Sequence, residues 1–185
     1  MRKNFGAKPW LFPMPVLVIG TYHEDGTPNA MTAAWGMICD YDKVMLCLAQ
    51  DHKTVTNIMH RKAFTVSIAD ERNLVQADYV GIVSGNKDPH KLNKTDWTAI
   101  KSDFVDAPLF AQLPVTLECK FLSMDEEFEC IVGEIVNVSA DDRVLTDGTI
   151  DLSKLRTITY DPVHNDYYVI SEKVGKAFGD GLRLK

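Results

Sequence analysis

Val16-Leu17-Val18-Ile19-Gly20-Thr21-Tyr22 is an apolar, β-branched run, and His23-Glu24-Asp25-Gly26-Thr27-Pro28-Asn29 behind it is turn chemistry. A run of that kind suits a strand covered on both faces, and the turn residues after it make a hairpin. The return strand is expected over Ala30 to Cys39. Asp40-Tyr41-Asp42-Lys43 would then turn the chain into a third strand, Val44 to Ala49, so that the three form a meander.

Beyond the meander the period changes. Val55, Ile58 and Met59 fall on one helical face while Thr56, Asn57 and His60 are polar, so Thr54 to Arg61 is expected to be a short helix. Phe64 to Ala69 is strand-like. Leu74, Ala77, Tyr79 and Val80 mark a second helix with Gly85 as its stop. Asn86 to Asp106, carrying Lys87, Lys91, Lys94 and Lys101, is an irregular polar excursion with one helical turn.

Val115, Leu117, Cys119 and Phe121 alternate with Thr116, Glu118 and Lys120, the pattern of a half-buried strand, and Phe128 to Ser139 is its expected partner across the loop Ser123 to Glu127. Tyr167 to Ile170 is the last strand candidate. Strands with short links and a few helices point to a mainly β fold with helical insertions, a closed or nearly closed β-barrel.

The composition supports a soluble globular chain: 185 residues, 45% hydrophobic, 25% charged. Such a length buries roughly 70% of the unfolded surface, so one core spanning residues 1–185 is expected, without disulfides or a structural metal. The net charge is −6 and no basic run tracks a phosphate backbone, which argues against nucleic acid as a partner. Arg2 and Lys3 precede the apolar stretch Trp10 to Ile19, the outline of a signal peptide, but Pro13 and Pro15 interrupt it and no Ala-x-Ala-like site follows. No segment approaches the ~20 apolar residues of a membrane helix. A cytoplasmic protein that does not engage membranes is expected. Cys39, Cys47, Cys119 and Cys130 lack metal-ligand spacing and are expected to be reduced and mostly buried.

Two segments carry candidate chemistry. Gln50-Asp51-His52-Lys53-Thr54 joins the third strand to the first helix, and a helix start offers free N–H groups and partial positive charge to an anion, with Lys53 and the Thr54 hydroxyl adding to both. The other reading is that Asp51 or Thr54 merely caps the helix. Asn29-Ala30-Met31-Thr32-Ala33-Ala34-Trp35-Gly36 opens a strand with small residues and hydroxyls, so that either a bulky flat ring lies against its backbone or the strand packs closely at a barrel bend with Trp35 in the core. The five histidines lack the context of a hydrolase: there is no Gly-x-Ser-x-Gly elbow and no His-Glu-x-x-His helix.

Pro15 to Gly20, Asn29 to Trp35, His52-Lys53-Thr54 to Ile58, Phe64-Thr65-Val66, Val83-Ser84-Gly85, Ala107-Pro108, Leu117-Glu118-Cys119 and Val174 to Phe178 occur in an order and at spacings that resemble the flavin reductase-like, FMN-binding split-barrel family, most closely its flavoredoxin-type branch. The resemblance covers nearly the whole chain. It implies an antiparallel, Greek-key-like split β-barrel, a homodimer, and non-covalent FMN near the subunit boundary. It implies that Asn29, Met31, Thr32, Ala33, Ala34 and Trp35 meet the isoalloxazine, that Gln50, His52, Lys53 and Thr54 meet the phosphate and ribityl chain, and that Ser84-Gly85-Asn86-Lys87 closes over the cofactor.

Two departures stand out. Tyr41-Asp42 replaces a Pro-Pro common in the family, and the Gly-Asp-His motif placed near a nicotinamide in short-chain flavin reductases has no counterpart, His164 in Asp161-Pro162-Val163-His164 not matching it. The expected function is an FMN-binding oxidoreductase, an NAD(P)H-linked flavin reductase or a flavoredoxin-like protein passing electrons through flavin N5, in which the flavin carries the chemistry and no catalytic side chain is obligatory. The alternatives are an FMN-binding electron carrier, served by a redox protein partner and without nicotinamide turnover, and a scaffold that binds flavin or haem without redox duty.

Overall fold

The computed structural model describes residues 1–185. Strand β1 (Leu17–Tyr22) and strand β2 (Pro28–Ala33) form the expected hairpin. Two residues later come β3 (Gly36–Asp40) and β4 (Lys43–Cys47), then helix α1 (Lys53–Arg61), strand β5 (Ala63–Ile68), helix α2 (Leu74–Ile82), and the long strands β6 (Val115–Asp125) and β7 (Cys130–Ala140). These seven strands make one antiparallel sheet in the order β2-β1-β5-β6-β7-β4-β3. The non-consecutive neighbours β1–β5 and β4–β7 give it a Greek-key character, and its two edge strands, β2 and β3, are successive in the chain. The covalent link through Ala34-Trp35 therefore joins edges that no ladder joins, and the sheet is a split barrel.

The expected three-strand meander does not form. The return strand is two strands, because the chain leaves the β1 ladder at Ala33 and enters the β4 ladder at Gly36, on the far edge of the sheet. A continuous strand cannot pair with both edges of a curled sheet without a break, and the small side chain of Ala34 lies at that break. Trp35 is not a core residue: 57% of its surface is exposed.

The apolar run that opens the fold is buried on both sides, as its composition requires. Leu17 and Ile19 point into the barrel with Val44, Leu46, Phe64, Val66, Cys119 and Ile131, and α1 adds Val55 and Ile58 to that cluster. Val16 and Val18 face a second cluster under α2, with Ala30, Ala77, Val80, Trp97 and Phe110. Outside the barrel, Met14–Pro15, Ile158–Asp161 and Asp166–Val169 form a small antiparallel sheet. No helix is long and apolar enough to cross a membrane.

Other expectations need adjustment. Strand β6 runs on through Asp125, so Ser123, Met124 and Asp125 lie in the ladder and not in the loop. The polar excursion contains one 3-10 turn, Lys91–Lys94, and a short strand, Ala99–Lys101. Lys91 is buried, its Nζ donating to the carbonyls of Val80 (2.6 Å) and Val83 (2.5 Å) at the end of α2, and burial pulls its pKa down to about 8. All four cysteines are free, but only Cys119 is fully buried; Cys47 and Cys130 are half-buried and Cys39 is exposed.

At Gly133, beside a register shift in the β6–β7 ladder, a Cβ would land on the ring of fully buried Phe64. Gly133→Ala should therefore lower unfolding free energy by about 1–3 kcal/mol, the usual cost of overpacking. Urea unfolding followed by circular dichroism measures it, and an unchanged midpoint would show that the Phe64 ring is free to move aside.

Candidate functional site

Helix α1 begins without a cap. His52, in the N-cap position, makes no side-chain capping bond, and no acidic residue stands in the first turn. Capping by Asp51 or Thr54 is thus excluded as the role of this segment. The first intrahelical bonds are those of Val55 and Thr56 to the His52 carbonyl, which leaves the N–H groups of Lys53 and Thr54 without an acceptor. Free N–H groups, the positive end of a nine-residue helix and the Lys53 ammonium, which makes no ion pair, together form a place for an anion.

What holds that helix end is a buried polar network. The Asn29 Nδ2 donates to Thr21 Oγ1 (3.2 Å) and Thr54 Oγ1 (3.1 Å), and the Asn57 Nδ2 donates to Thr21 Oγ1 (3.1 Å) and reaches His23 Nδ1 (3.4 Å). Asn29 and Thr54 are each 2% exposed, so they tie β2 and α1 together from behind and do not line a cleft. With Asn57 donating, the neutral tautomer of His23 places its proton on Nε2, which is buried near the Pro89 backbone. Burial first, and the charge of Lys53 second, hold the His23 pKa below its ordinary value.

The turn after α2 packs onto the same corner. Ser84 Oγ accepts the Asn86 N–H, and the Asn86 Nδ2 donates to the Asp51 carbonyl at 2.8 Å, clamping the turn to the entry of α1. Gly85 is not the stop of α2, which ends at Ile82 with Val83 extended. Glycine is required there by proximity: a Cβ would sit 2.6 Å from Asn29 Oδ1 and 3.3 Å from the Lys53 Cβ. Lys87 is exposed at the end of this turn.

Beside this corner lies a cleft of ≈360 Å³ along the β2–β3 break, floored by Thr32, Ala33 and Ala34 and walled by Met31, Trp35 and His52. Across from them stand Cys47, Leu48 and Ala49 at the end of β4 and Phe128 and Glu129 from the β6–β7 turn. The Thr32 hydroxyl donates to the Ala77 carbonyl, tying the floor to α2. A second cleft, ≈320 Å³, meets the first at Thr32 and Ala34 and is lined by Asp78 of α2 and by Tyr160, Asn165 and Tyr167. His164, in the same hairpin, is exposed and paired with Asp161 at 2.7 Å. Burial, with the Asp78 carboxylate beside it, pushes the Tyr167 hydroxyl up to about 12.

The structure thus brings Met31, Thr32, Ala33, Ala34, Trp35 and His52 to one cleft, with Lys53, Ser84 and Gly85 at the cationic corner beside it and Lys87 exposed at the end of the same turn. Asn29 and Thr54 support them. Gln50 is diverted: its Nε2 donates to the Glu126 carbonyl (2.9 Å) and its N–H to Glu129 Oε1 (3.0 Å), so it fixes the β6–β7 turn against the cleft. Sequence reasoning missed Phe128 and Glu129, which arrive from a turn more than 70 residues away with no local signal, and it missed Thr21, His23 and Asn57 because an ordinary strand, turn and helix account for them.

The family described as "Flavin reductase like domain" matches residues 10–158. The flavoredoxin of Desulfovibrio vulgaris (Miyazaki F) has a similar structure, with a TM-score of 0.94 and 34% identity over 98% of this chain and 100% of that one. An FMN-binding domain of a flavin reductase-like enzyme from Shewanella baltica shares the fold, with a TM-score of 0.79, 22% identity and 88% of each chain covered. An uncharacterised Escherichia coli (strain K12) protein, YddH, is 29% identical over 153 residues, 78% of this chain and 80% of its own.

The His23 network has a pH signature. A histidine whose folded pKa is depressed stabilises the fold above its unfolded pKa of about 6.5, and that contribution is lost as pH falls below it. His164, raised by Asp161, works in the opposite direction, so the informative quantity is the difference between proteins. Stability of the wild type should fall from pH 7 to pH 5 more steeply than that of His23→Gln. Parallel urea curves at both pH values check this, and equal pH slopes would mean that His23 titrates as freely as it does in the unfolded chain.

Proposed function

We propose, from the premise that this chain belongs to the flavin reductase-like family, that residues 1–185 act as one FMN-binding unit working as an NAD(P)H-linked flavin reductase or flavoredoxin-like oxidoreductase. The observation that carries the reading is the uncapped start of α1, with Lys53 unpaired, opening beside a cleft floored by alanines. Small residues leave room for a flat ring system against the β2 backbone, and the helix end supplies positive potential for a phosphate, so the residues present fit FMN. An acidic chain can in this way hold an anionic cofactor locally.

When bound, FMN supplies one- and two-electron redox chemistry at N5 of its ring. The chain supplies position and shielding. Lys53, Lys87 and the free N–H groups of Lys53 and Thr54 bind the phosphate; Ser84 and His52 offer polar contacts along the ribityl chain; Met31 to Trp35 present backbone groups and small side chains to the ring. Trp35 and Phe128, both largely exposed at the cleft rim, are placed to exclude water from it.

The same exposure supports a homodimer. Strand β3 leaves Met37 (58%) and Ile38 (55%) open to solvent next to Trp35, an apolar edge continuous with the cleft, and a second copy of this chain is the proposed cover. The electrons are proposed to come from NAD(P)H; the absence of a Gly-Asp-His motif keeps a redox protein donor as the competing reading.

Lys53→Ala should weaken FMN binding about tenfold to a hundredfold, the value of a charge-assisted contact of ~1.5–3 kcal/mol, while riboflavin, which lacks the phosphate, binds almost unchanged. Paired fluorescence titrations test it: equal losses for both ligands would place the damage in the ring pocket, and no loss for either would remove Lys53 from the site. Light scattering should give a mass near twice the 20.8 kDa chain, and Met37→Asp should shift it to monomer with weaker FMN uptake. A wild-type monomer with full FMN affinity would refute the shared site. The FMN-loaded protein is expected to oxidise NADH or NADPH in steady state, whereas a protein that cycles with dithionite and oxygen but ignores both nucleotides would be a carrier.

A further inference from the structure

Cys47 ends β4 and Cys130 begins β7, and the two are direct partners across that ladder. The adjacent pair is the hydrogen-bonded one, Leu48 N–H donating to the Glu129 carbonyl at 2.9 Å, so Cys47 and Cys130 form a non-hydrogen-bonded pair, the kind in which side chains come closest. Their Sγ atoms are 3.0 Å apart. A pair of this kind has Cα atoms about 4.5 Å apart, within the range a disulfide spans, so a bond can form with little movement of the backbone. Both residues are half-buried, whereas Cys119 is sealed in the barrel and Cys39 stands exposed on β3.

Position sets this pair apart from a packing accident. Cys47 lines the ≈360 Å³ cleft together with Trp35, Leu48 and Ala49, and it also lines a neighbouring cleft of ≈610 Å³ beneath Trp10 and Met45. Cys130 Sγ is 3.3 Å from the Phe128 carbonyl in the turn that walls the first cleft. Burial and the neighbouring Cys130 sulfur push the Cys47 thiol up to about 11, so at neutral pH it keeps its proton and reacts slowly with reagents from solvent. A partner inside the cleft is better placed.

We propose that Cys47 and Cys130 are a dithiol–disulfide couple that exchanges two electrons with FMN held in the cleft that Cys47 lines. The exchange rests on the flavin reading above; formation of the bond does not. On oxidation each thiol loses one proton and one electron, the Sγ–Sγ bond forms, and the two electrons and two protons pass to oxidised FMN, giving the reduced flavin. In reverse, reduced FMN returns two electrons and two protons, and the Sγ–Sγ bond breaks. The chain then stores four electrons instead of two.

Two measurements separate bond formation from exchange. Protein as purified is oxidised with diamide, freed of reagent, denatured and alkylated, and its peptides are mapped by mass spectrometry. Cys47 and Cys130 should be protected and linked while Cys39 and Cys119 carry the label; full labelling of Cys47 and Cys130 overturns the couple. Anaerobic dithionite titration of the diamide-oxidised, FMN-loaded protein should consume four electrons per FMN in the wild type and two in Cys130→Ser. Two in both proteins overturns the exchange. Failure of the chain to take up FMN at all overturns the reading of the cleft, and the exchange with it, while leaving the mapping result to decide the disulfide.

Discussion

Asn29 spends both protons of its side-chain amide on hydroxyls that belong to different elements, Thr21 of β1 and Thr54 of α1. At 2% exposure this amide has no access to bulk water, so removing it would leave a cavity and strand the buried Thr54 hydroxyl, while Thr21 keeps its bond from Asn57. The bonds fix where α1 starts relative to β2. Its uncapped N–H groups consequently open at the end of the alanine-floored break between β2 and β3. The carbonyl of the same amide stands where a side chain at position 85 would go, so the turn from α2 can close on the corner only with glycine. One side chain thereby sets the mutual position of the strand, the helix start and the closing turn.

The cleft is a consequence of barrel closure. The two edges of the sheet are joined by Ala34-Trp35 and not by a ladder, and unpaired backbone at such a seam needs a partner. A planar ligand with hydrogen-bonding edges is a suitable one, as is the edge of a second copy of the chain. Small side chains at 33 and 34 weaken the strand as a strand and leave the backbone approachable.

Much of this was legible from residue order. The double-sided burial of Leu17 to Tyr22, the amphipathic α1 and the alternating β6 follow from local periodicity, and the family resemblance located the segments that meet at the cleft. Four features escaped because they are set by tertiary geometry. The break at Ala34-Trp35 depends on which edges the flanking strands join. Gly85 has the composition of a helix stop, yet its constraint comes from Asn29, 56 positions earlier. Lys91 sits in a polar, lysine-bearing stretch and is nonetheless buried against the carbonyls that end α2. Phe128 and Glu129 reach the cleft because the β4–β7 ladder brings their turn there and Gln50 bonds it in two places.

In the proposed FMN site the Asn29 amide, through its hold on α1, sets the corner that takes the phosphate. Isothermal titration of FMN into Asn29→Ala, with circular dichroism confirming that the variant is folded, tests this directly. The account expects affinity to fall at least about tenfold, since the helix start is no longer anchored to β2 and Thr54 loses its partner. A folded variant that binds FMN as tightly as the wild type would show that the corner forms without this amide and would contradict the account.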